Sequence, residues 1–318
     1  MIRKCFTVGV FIFCTTLSGC GGGIAIKKTL EIENAESYTK DGLQAFSGSR
    51  WDSAQRLFVR ALSLYEGIDD QHGVLLSRIN LAEVTLALHN YPASLRYLDL
   101  ATKNIKKSSR MNHQSRITLL YARIALQQQK TIQAESILQS LLPEFDRLMP
   151  MTPIETIHIA AIAVRTKIAF VQKKDEVLWT NRYAKTIELS GTHSINLNFR
   201  LLRFQSDLLQ QQKKYAQSES NLLQSLTGYK MISNRLGIAA TLLQLGQLNM
   251  AQGHWQVARN YFDRSVSVFR YLKDLGKVIQ LTENLMKVEM ELGDLERVKI
   301  LNQALISMKA EYGVKEYK

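Results

Sequence analysis

The chain has 318 residues, 46% of them hydrophobic and only four of them proline, which is enough to bury a large core in two domains or in one repeat array. Its formal net charge of +13 suits an acidic partner, an anionic lipid or glycan, or nucleic acid. All three cysteines lie in the first 20 residues, which excludes a disulfide framework or a cysteine-based zinc site in the remainder.

The first 20 residues have the layout of an export signal. Arg3 and Lys4 precede an apolar segment, residues 6–17, that is too short to cross a membrane. The sequence Leu17-Ser18-Gly19-Cys20 follows it and resembles the bacterial lipobox. The resemblance implies that residues 1–19 are a cleaved lipoprotein signal peptide, with Leu17, Ser18 and Gly19 forming the cleavage motif. The alternative is a free cysteine in an uncleaved apolar helix.

The lipobox resemblance also implies a location. Cys20 would carry a covalent lipid, the one non-protein group expected, and Gly21 is not the aspartate that retains lipoproteins at the inner membrane. We therefore expect an outer-membrane lipoprotein that faces the periplasm. Residues 20–33 would be the lipidated cysteine, a glycine tether and a lead-in to the first helix.

A repeat with an offset of 40 positions follows. The segments 48–70 and 88–107 align in sequence, and the same pattern returns at 213–226, 253–266 and 293–306, with a weaker copy at 174–189. Four residue pairs define the alignment: Trp51 with Tyr91, Ala54 with Ser94, Phe58 with Leu98, and Ala61 with Ala101. The composition, rich in Leu, Gln, Lys, Ala and Ser, favours helices at these segments.

Small residues predict where paired helices cross. Gly42, Ala82, Ala122 and Gly246 lie twelve positions before the small residue of the following segment, and this spacing allows two backbones to approach closely. The linkers 65–74 and 229–238 supply the extra length of the repeat, each with a glycine shortly before the next helix.

Two copies resemble the tetratricopeptide repeat most clearly. They read Gly42…Trp51-x-x-Ala54-x-x-x-Phe58 and Gly246…Trp255-x-x-Ala258-x-x-x-Phe262. The resemblance covers about residues 34–307 and implies an all-α fold, a right-handed α-solenoid of about seven helical hairpins with the longer repeat of the family's extended variety.

Three of the four prolines interrupt the array within residues 140–155. Because proline disfavours helix at and before its position, we predict a Pro-rich break at 143–154. Repeats 1–3 would occupy 34–142, and repeats 4–7 with a C-terminal helix would occupy 155–318. The break is either a kink or the junction of two rigid blocks. The last helix either packs on its predecessor or forms a dimer contact, so the oligomeric state stays open.

No catalytic motif or metal-ligand spacing is present in the sequence. The six histidines do not pair at ligand spacing, and the chain has no G-x-S-x-G, H-E-x-x-H or phosphate-binding loop. We expect a protein that is not an enzyme and binds no metal, the alternative being a site assembled from scattered residues.

The first helices of a solenoid line its concave face. Helical spacing from the aligned small residues predicts a polar and basic partner-binding lining there, with Glu83 and Asp207 as acidic exceptions. Five arginines would clamp carboxylates or phosphates, or would form a solvated basic face. The predicted lining is Asn80, Arg116, Arg123, Arg165, Arg200, Arg203, Gln244, Gln247, Asn284 and Lys287.

By family resemblance, the function is a non-catalytic interaction scaffold. The expected partners are envelope proteins or a peptide segment within pilus, secretion or cell-wall machinery, with membrane contact through the lipid only. The alternative is a module that binds anionic glycan such as peptidoglycan. A nucleic-acid partner would be consistent with the net positive charge of the chain, but it conflicts with the export signal.

Overall fold

The structure is a computed structural model that describes residues 29–103, 105, 110–142, 156–191 and 194–316. These residues contain fourteen α-helices and no strand. The helices are α1 Leu30–Ser47, α2 Trp51–Gly67, α3 Gln71–Ala87, α4 Tyr91–Lys103, α5 Arg110–Gln127, α6 Thr131–Gln139, α7 Thr156–Gln172, α8 Glu176–Leu189, α9 Ile195–Gln211, α10 Tyr215–Met231, α11 Arg235–Ala251, α12 Trp255–Tyr271, α13 Leu275–Leu292 and α14 Leu295–Glu316.

The helices form seven consecutive hairpins, α1–α2 to α13–α14, and each helix packs mainly on its neighbours in sequence. The prediction of an all-α solenoid is therefore confirmed. Most helices have 17 or 18 residues, so the helices themselves account for most of the repeat length.

The predicted crossing points are close backbone contacts. A Cβ atom on Gly42 would lie 2.6 Å from the Phe58 ring, and one on Gly246 would lie 2.5 Å from the Phe262 ring. In the second hairpin the Ser94 hydroxyl donates a hydrogen bond of 2.7 Å to the carbonyl oxygen of Ala82. Small residues at these positions let the side chains of one helix pack directly against the backbone of the facing helix.

The turn within the second hairpin shows how the chain reverses over three residues. His89 adopts a left-handed conformation with φ of 57°, and the amide of Asn90 donates to the carbonyl oxygen of Thr85 over 2.8 Å. The side chain of Asn90 then accepts a bond from the amide of Ala93 in α4. This pattern ends one helix and begins the next without a long loop.

The expectation of glycine-containing linkers between hairpins was wrong. Gly73 and Gly237 lie in the first turns of α3 and α11, against the rings of Tyr65 and Tyr229 in the preceding helices. A Cβ at either position would lie within 2.4 Å of a ring atom. Close helix packing explains these glycines, and the connections themselves have only three residues, 68–70 and 232–234.

The predicted Pro-rich break, 143–154, lies outside the described residues. The helix that follows this segment, α7, packs against the two helices that precede it, α5 and α6. One hydrophobic cluster extends from Leu119 on α5 through Tyr183 on α8 to Phe204 on α9. The third and fourth hairpins therefore share a core.

The last helix packs on its predecessor. Leu305 is buried, and Leu301 and Met308 pack against the cluster that contains Val288 of α13. Ile300 and Ile306 remain exposed.

The array curves so that its first two hairpins contact its last two. Arg235 at the start of α11 donates a 2.6 Å hydrogen bond to the carbonyl oxygen of Gly48, and Lys273 forms an ion pair of 2.7 Å with Asp52. The ring of Trp51 packs against the hydrophobic cluster of α11–α14. We call the contact formed by Gly48, Trp51, Asp52, Arg235 and Lys273 the closing seam.

Candidate partner-binding face

Side chains on neighbouring first helices contact one another along the concave side. Arg116 and Arg123 of α5 contact Asn80 and Glu83 of α3, and Gln244 of α11 contacts Arg203 of α9. Lys277 of α13 lies near enough to Lys167 of α7 and Arg203 of α9 to affect their ionisation. The concave side is therefore a lumen lined by α3, α5, α7, α9, α11 and α13.

At one end of the lumen the charges are balanced internally. Glu83 accepts hydrogen bonds of 2.9 Å from Arg116 and 2.7 Å from Arg123, and Arg116 also donates to Asn80 over 2.8 Å. Burial raises the pKa of Glu83, but the two guanidinium groups outweigh burial and hold its pKa below the usual range. We call these four residues the paired sector.

Arg165 does not contribute to the lumen lining. It is only 7% exposed, donates a 2.6 Å hydrogen bond to Glu135 of α6 and lies 4.7 Å from the centre of the Trp179 ring of α8. Gln172 donates to the other carboxylate oxygen of Glu135 over 2.7 Å. These contacts join α7 to its neighbours, so we assign Arg165 a structural role.

Lys167 occupies the lumen position that the sequence analysis assigned to Arg165. It lies 44 positions after Arg123 and 36 positions before Arg203, so a fixed period of 40 counted from either arginine does not reach it. The longer connection between α6 and α7 is the feature of the sequence that marks where a fixed period stops being a guide.

Four cations form the middle of the lumen, and we call Lys167, Arg200, Arg203 and Lys277 the cationic sector. The Lys167 side chain is exposed on the lumen side of α7, with protein around it. Desolvation and the neighbouring charges of Arg200 and Arg203 lower the pKa of Lys167 to about 7. No carboxylate of the described residues lies within salt-bridge distance of these four side chains.

A polar network borders the cationic sector. Arg203 donates through Nε to the side-chain oxygen of Gln244, whose amide nitrogen donates to Asp207 over 2.6 Å. Burial raises the pKa of Asp207 to about 6, although the bond from Gln244 and the charge of Arg203 act in the opposite direction. Near neutral pH Asp207 is therefore mostly ionised, and its negative charge offsets part of the positive charge of Arg203.

The remaining predicted lining residues are not joined into either sector. Gln247 of α11 and Asn284 of α13 are half-buried, and Lys287 of α13 is exposed. Leu17, Ser18, Gly19 and Cys20 lie outside the described residues.

Two clefts adjoin the lumen and the closing seam. The first has a volume of about 540 Å³ and lies between α3, α5 and α7, with an apolar wall and the paired-sector residues Glu83, Arg116 and Arg123 at its rim. Its apolar wall consists of Leu76, Leu119, Leu120, Ile157 and Ala160. The second cleft, of about 550 Å³, lies at the seam between Gly48 and Arg235.

Neither a metal site nor a membrane-spanning helix is found where the structure describes the chain. No group of three or more His, Cys, Asp or Glu side chains in that part is arranged to hold a metal ion. None of its helices combines the length and apolarity needed to cross a bilayer.

Residues 199–270, which span α9 to α12, match the family model of the tetratricopeptide repeat. The chain therefore carries tetratricopeptide repeats, and its architecture is the helical-repeat solenoid typical of protein-interaction scaffolds. No curated protein matches the sequence.

The fold is similar to that of a Rap protein in its crystal structure with competence and sporulation factor. The TM-score is 0.67, with 14% identity, and the match covers 91% of this chain and 78% of the Rap chain. At this identity the similarity shows a common fold. A second structure, BtubC (BKLC) from P. vanneervenii, is 12% identical over 90% of this chain and 93% of its own, and its TM-score of 0.32 is too low to indicate a common arrangement.

Proposed function

We propose that this chain is a bacterial outer-membrane lipoprotein whose concave face holds a segment of a partner protein and thereby organises an envelope assembly complex. The observation that carries the proposal is the cationic sector, where three first helices present more positive side chains to a common lumen than the nearby carboxylates of Asp207 and Asp274 can balance. The Rap protein of similar fold was crystallised in a complex, which supports a binding role for such a fold.

The proposed role is non-catalytic. The lumen residues offer hydrogen-bond donors and positive charge, which bind and orient an anionic group. The complex would belong to pilus, secretion or cell-wall machinery, and the lipid on Cys20 would place the lumen on the periplasmic side of the membrane.

Cys20→Ser tests the anchor. We expect the variant to lose incorporation of labelled palmitate and to leave the outer-membrane fraction, because lipid anchoring supplies the membrane affinity. Ser18→Thr is the matched control, because it changes the cleavage motif and keeps Cys20. Retention of the lipid label by Cys20→Ser would contradict the proposed anchor.

Site-specific crosslinking in intact cells tests the partner role. A photoreactive residue at Gln247, half-buried on α11, should capture an envelope protein that mass spectrometry identifies. The same residue at Val59, exposed on α2, is the matched control and should capture it much less. Equal capture from both positions would contradict a concave binding face.

The anionic-glycan alternative predicts a different result. Glycan binding would rest on charge alone and would fall steeply with salt. Co-sedimentation of the protein with purified sacculi at low and physiological salt distinguishes it from capture of a protein segment.

A further inference from the structure

The cleft at the closing seam, which we call the seam cleft, shares no residue with the paired sector or the cationic sector. One of its walls belongs to the first hairpin, from Gln44 to Arg50, and the other belongs to the fifth and sixth hairpins, at Asn196 and residues 232–235. Its volume of about 550 Å³ lies within the range of about 300–1,000 Å³ that is usual for ligand sites. A molecule held there would therefore contact both sides of the closing seam.

Two arginines line the seam cleft, and neither has a carboxylate partner among the residues that the structure describes. Arg235 donates its 2.6 Å hydrogen bond to a backbone carbonyl oxygen, that of Gly48. The side chain of Arg50 forms no hydrogen bond or ion pair with any described residue. Asp52, the acid nearest to Arg50 in sequence, is paired with Lys273 over 2.7 Å. Both guanidinium groups therefore keep donors that an added anion can use.

Most of the other lining side chains are polar and uncharged. Their amide and hydroxyl groups both donate and accept hydrogen bonds, as sugar hydroxyls require. The amide nitrogen of Asn234 donates over 3.1 Å to the side-chain oxygen of Asn196, so these two amides orient each other across α9 and α11. Ile232 supplies the one apolar side chain among the described residues of the lining. The uncharged polar set is Gln44, Ser47, Asn196, Ser233 and Asn234.

We propose that the seam cleft binds a small acidic sugar, a sugar phosphate or a uronic acid, which connects the first hairpin to the fifth and sixth. Arg50 and Arg235 bind the phosphate or carboxylate, because guanidinium groups form charge-assisted hydrogen bonds with both anions. The amide and hydroxyl side chains bind the sugar hydroxyls. This site does not use the concave face, so it goes beyond the scaffold function proposed above.

Isothermal titration calorimetry with the full chain tests this chemistry, in a detergent without a sugar headgroup. The probes are glucose 6-phosphate, glucuronic acid, glucose and inorganic phosphate. We expect at least one of the two acidic sugars to bind about tenfold more tightly than glucose and than inorganic phosphate, and the tighter of the two identifies the anion. Equal affinity for glucose would overturn the role of the arginines, and equal affinity for inorganic phosphate would overturn the role of the amide and hydroxyl groups.

The variant Arg50→Gln locates the site. Its side chain is exposed and has no partner among the described residues, so the fold should persist, and circular dichroism checks this. We expect at least about a tenfold loss of affinity for the acidic sugar. Arg56→Gln is the matched control, because Arg56 is exposed on α2 and bonds only to Ser53 there, over 3.2 Å. Equal affinities of the two variants would overturn the placement at the seam cleft.

Spin labels test whether the sugar connects the two sides of the seam. Labels at Val59 on α2 and Val257 on α12 are exposed and lie outside the cleft lining. We expect the acidic sugar to narrow the distribution of distances between them, whereas glucose should leave it unchanged. An unchanged distribution with saturating acidic sugar would overturn the connecting role.

This proposal and the scaffold function can fail separately. Arg50→Gln should lose the acidic sugar and still capture the envelope protein at Gln247, because Arg50 lies outside the concave lining. Loss of that capture together with the sugar would overturn the separation of the two sites.

Discussion

The guanidinium group of Arg235 donates a hydrogen bond of 2.6 Å to the carbonyl oxygen of Gly48, 187 positions earlier in the chain. The same arginine lies 5.1 Å from the centre of the Tyr271 ring, so α11 and α12 together hold it against the first hairpin. Trp51 adds an apolar contact to the same seam. The first and sixth hairpins are thus in direct contact, and the lumen lies in a closed array.

The closing seam predicts a charge-dependent opening. Lys273→Glu together with Arg235→Glu places like charges opposite Asp52 and removes the bond to Gly48. Because the Lys273–Asp52 pair is exposed, we expect its loss to lower the unfolding free energy by only about 1 kcal/mol. We also expect the distance across the closing seam to increase. Spin labels at Gln44 and Ile232, which line the seam cleft, should report longer and broader distances.

Asp52→Lys in the same background should bring the labels closer again, because it restores opposite charges at the pair. Lys185→Glu, which alters an exposed pair within α8, is the matched control and should leave the distances unchanged. Unaltered distances in the doubly reversed variant would refute a role for these side chains in closure.

The buried Glu289 predicts a loss of stability. Its side chain is fully buried, it forms an ion pair with Arg259, and its Oε1 lies 3.1 Å from Arg297 Nε. Glu289→Gln removes this shared carboxylate, but Arg259 keeps Asp294 and Arg297 keeps Asp263, so we expect unfolding free energy to fall by about 1.5–3 kcal/mol in urea titration. Glu283→Gln, which breaks an exposed pair with Lys309, is the control and should cost less than about 1 kcal/mol.

The crossing glycines predict a steric penalty. Gly246→Ala places a Cβ atom 2.5 Å from the Phe262 ring, and we expect unfolding free energy to fall by about 1–3 kcal/mol, measured by thermal or urea unfolding. Gly67→Ala is the matched control, because no atom lies within 4 Å of its added Cβ. Equal stability of the two variants would contradict close packing at the crossing point.

The raised pKa of Asp207, about 6, predicts a distinctive dependence of stability on pH. Between pH 4 and 6 the folded protein holds this proton more tightly than the unfolded chain, so the contribution of Asp207 to stability falls as pH rises through that interval. Asp207→Asn removes this contribution. We therefore expect the unfolding free energy of the variant, relative to that of the unchanged protein, to be higher at pH 7 than at pH 4.5 in urea titration. The opposite trend would refute the burial of this carboxyl group.

Some of the concave face could be derived from the repeat pattern, and some could not. Arg123 and Arg203 lie on first helices, where their contacts with Glu83 and Gln244 span 40 and 41 positions. Arg165 was predicted to line the lumen, but it packs between Glu135 and Trp179, and Lys167 lies near Arg200 and Arg203 instead. The pairing of Arg116 and Arg123 with Glu83 also depends on side-chain geometry that a repeat alignment does not contain.

The amino-acid sequence by itself determined the local structure. Helix-forming residues, small crossing residues such as Gly42 and large residues such as Phe58 recur at a fixed spacing. Each hairpin then packs mainly on the hairpins next to it in sequence. Only the tertiary structure decided which cations lack a counterion and which hairpins meet at the closing seam. Both depend on the curvature of the array, which sums small rotations between hairpins and brings Gly48 to Arg235 and Lys277 to Lys167 across large separations in sequence.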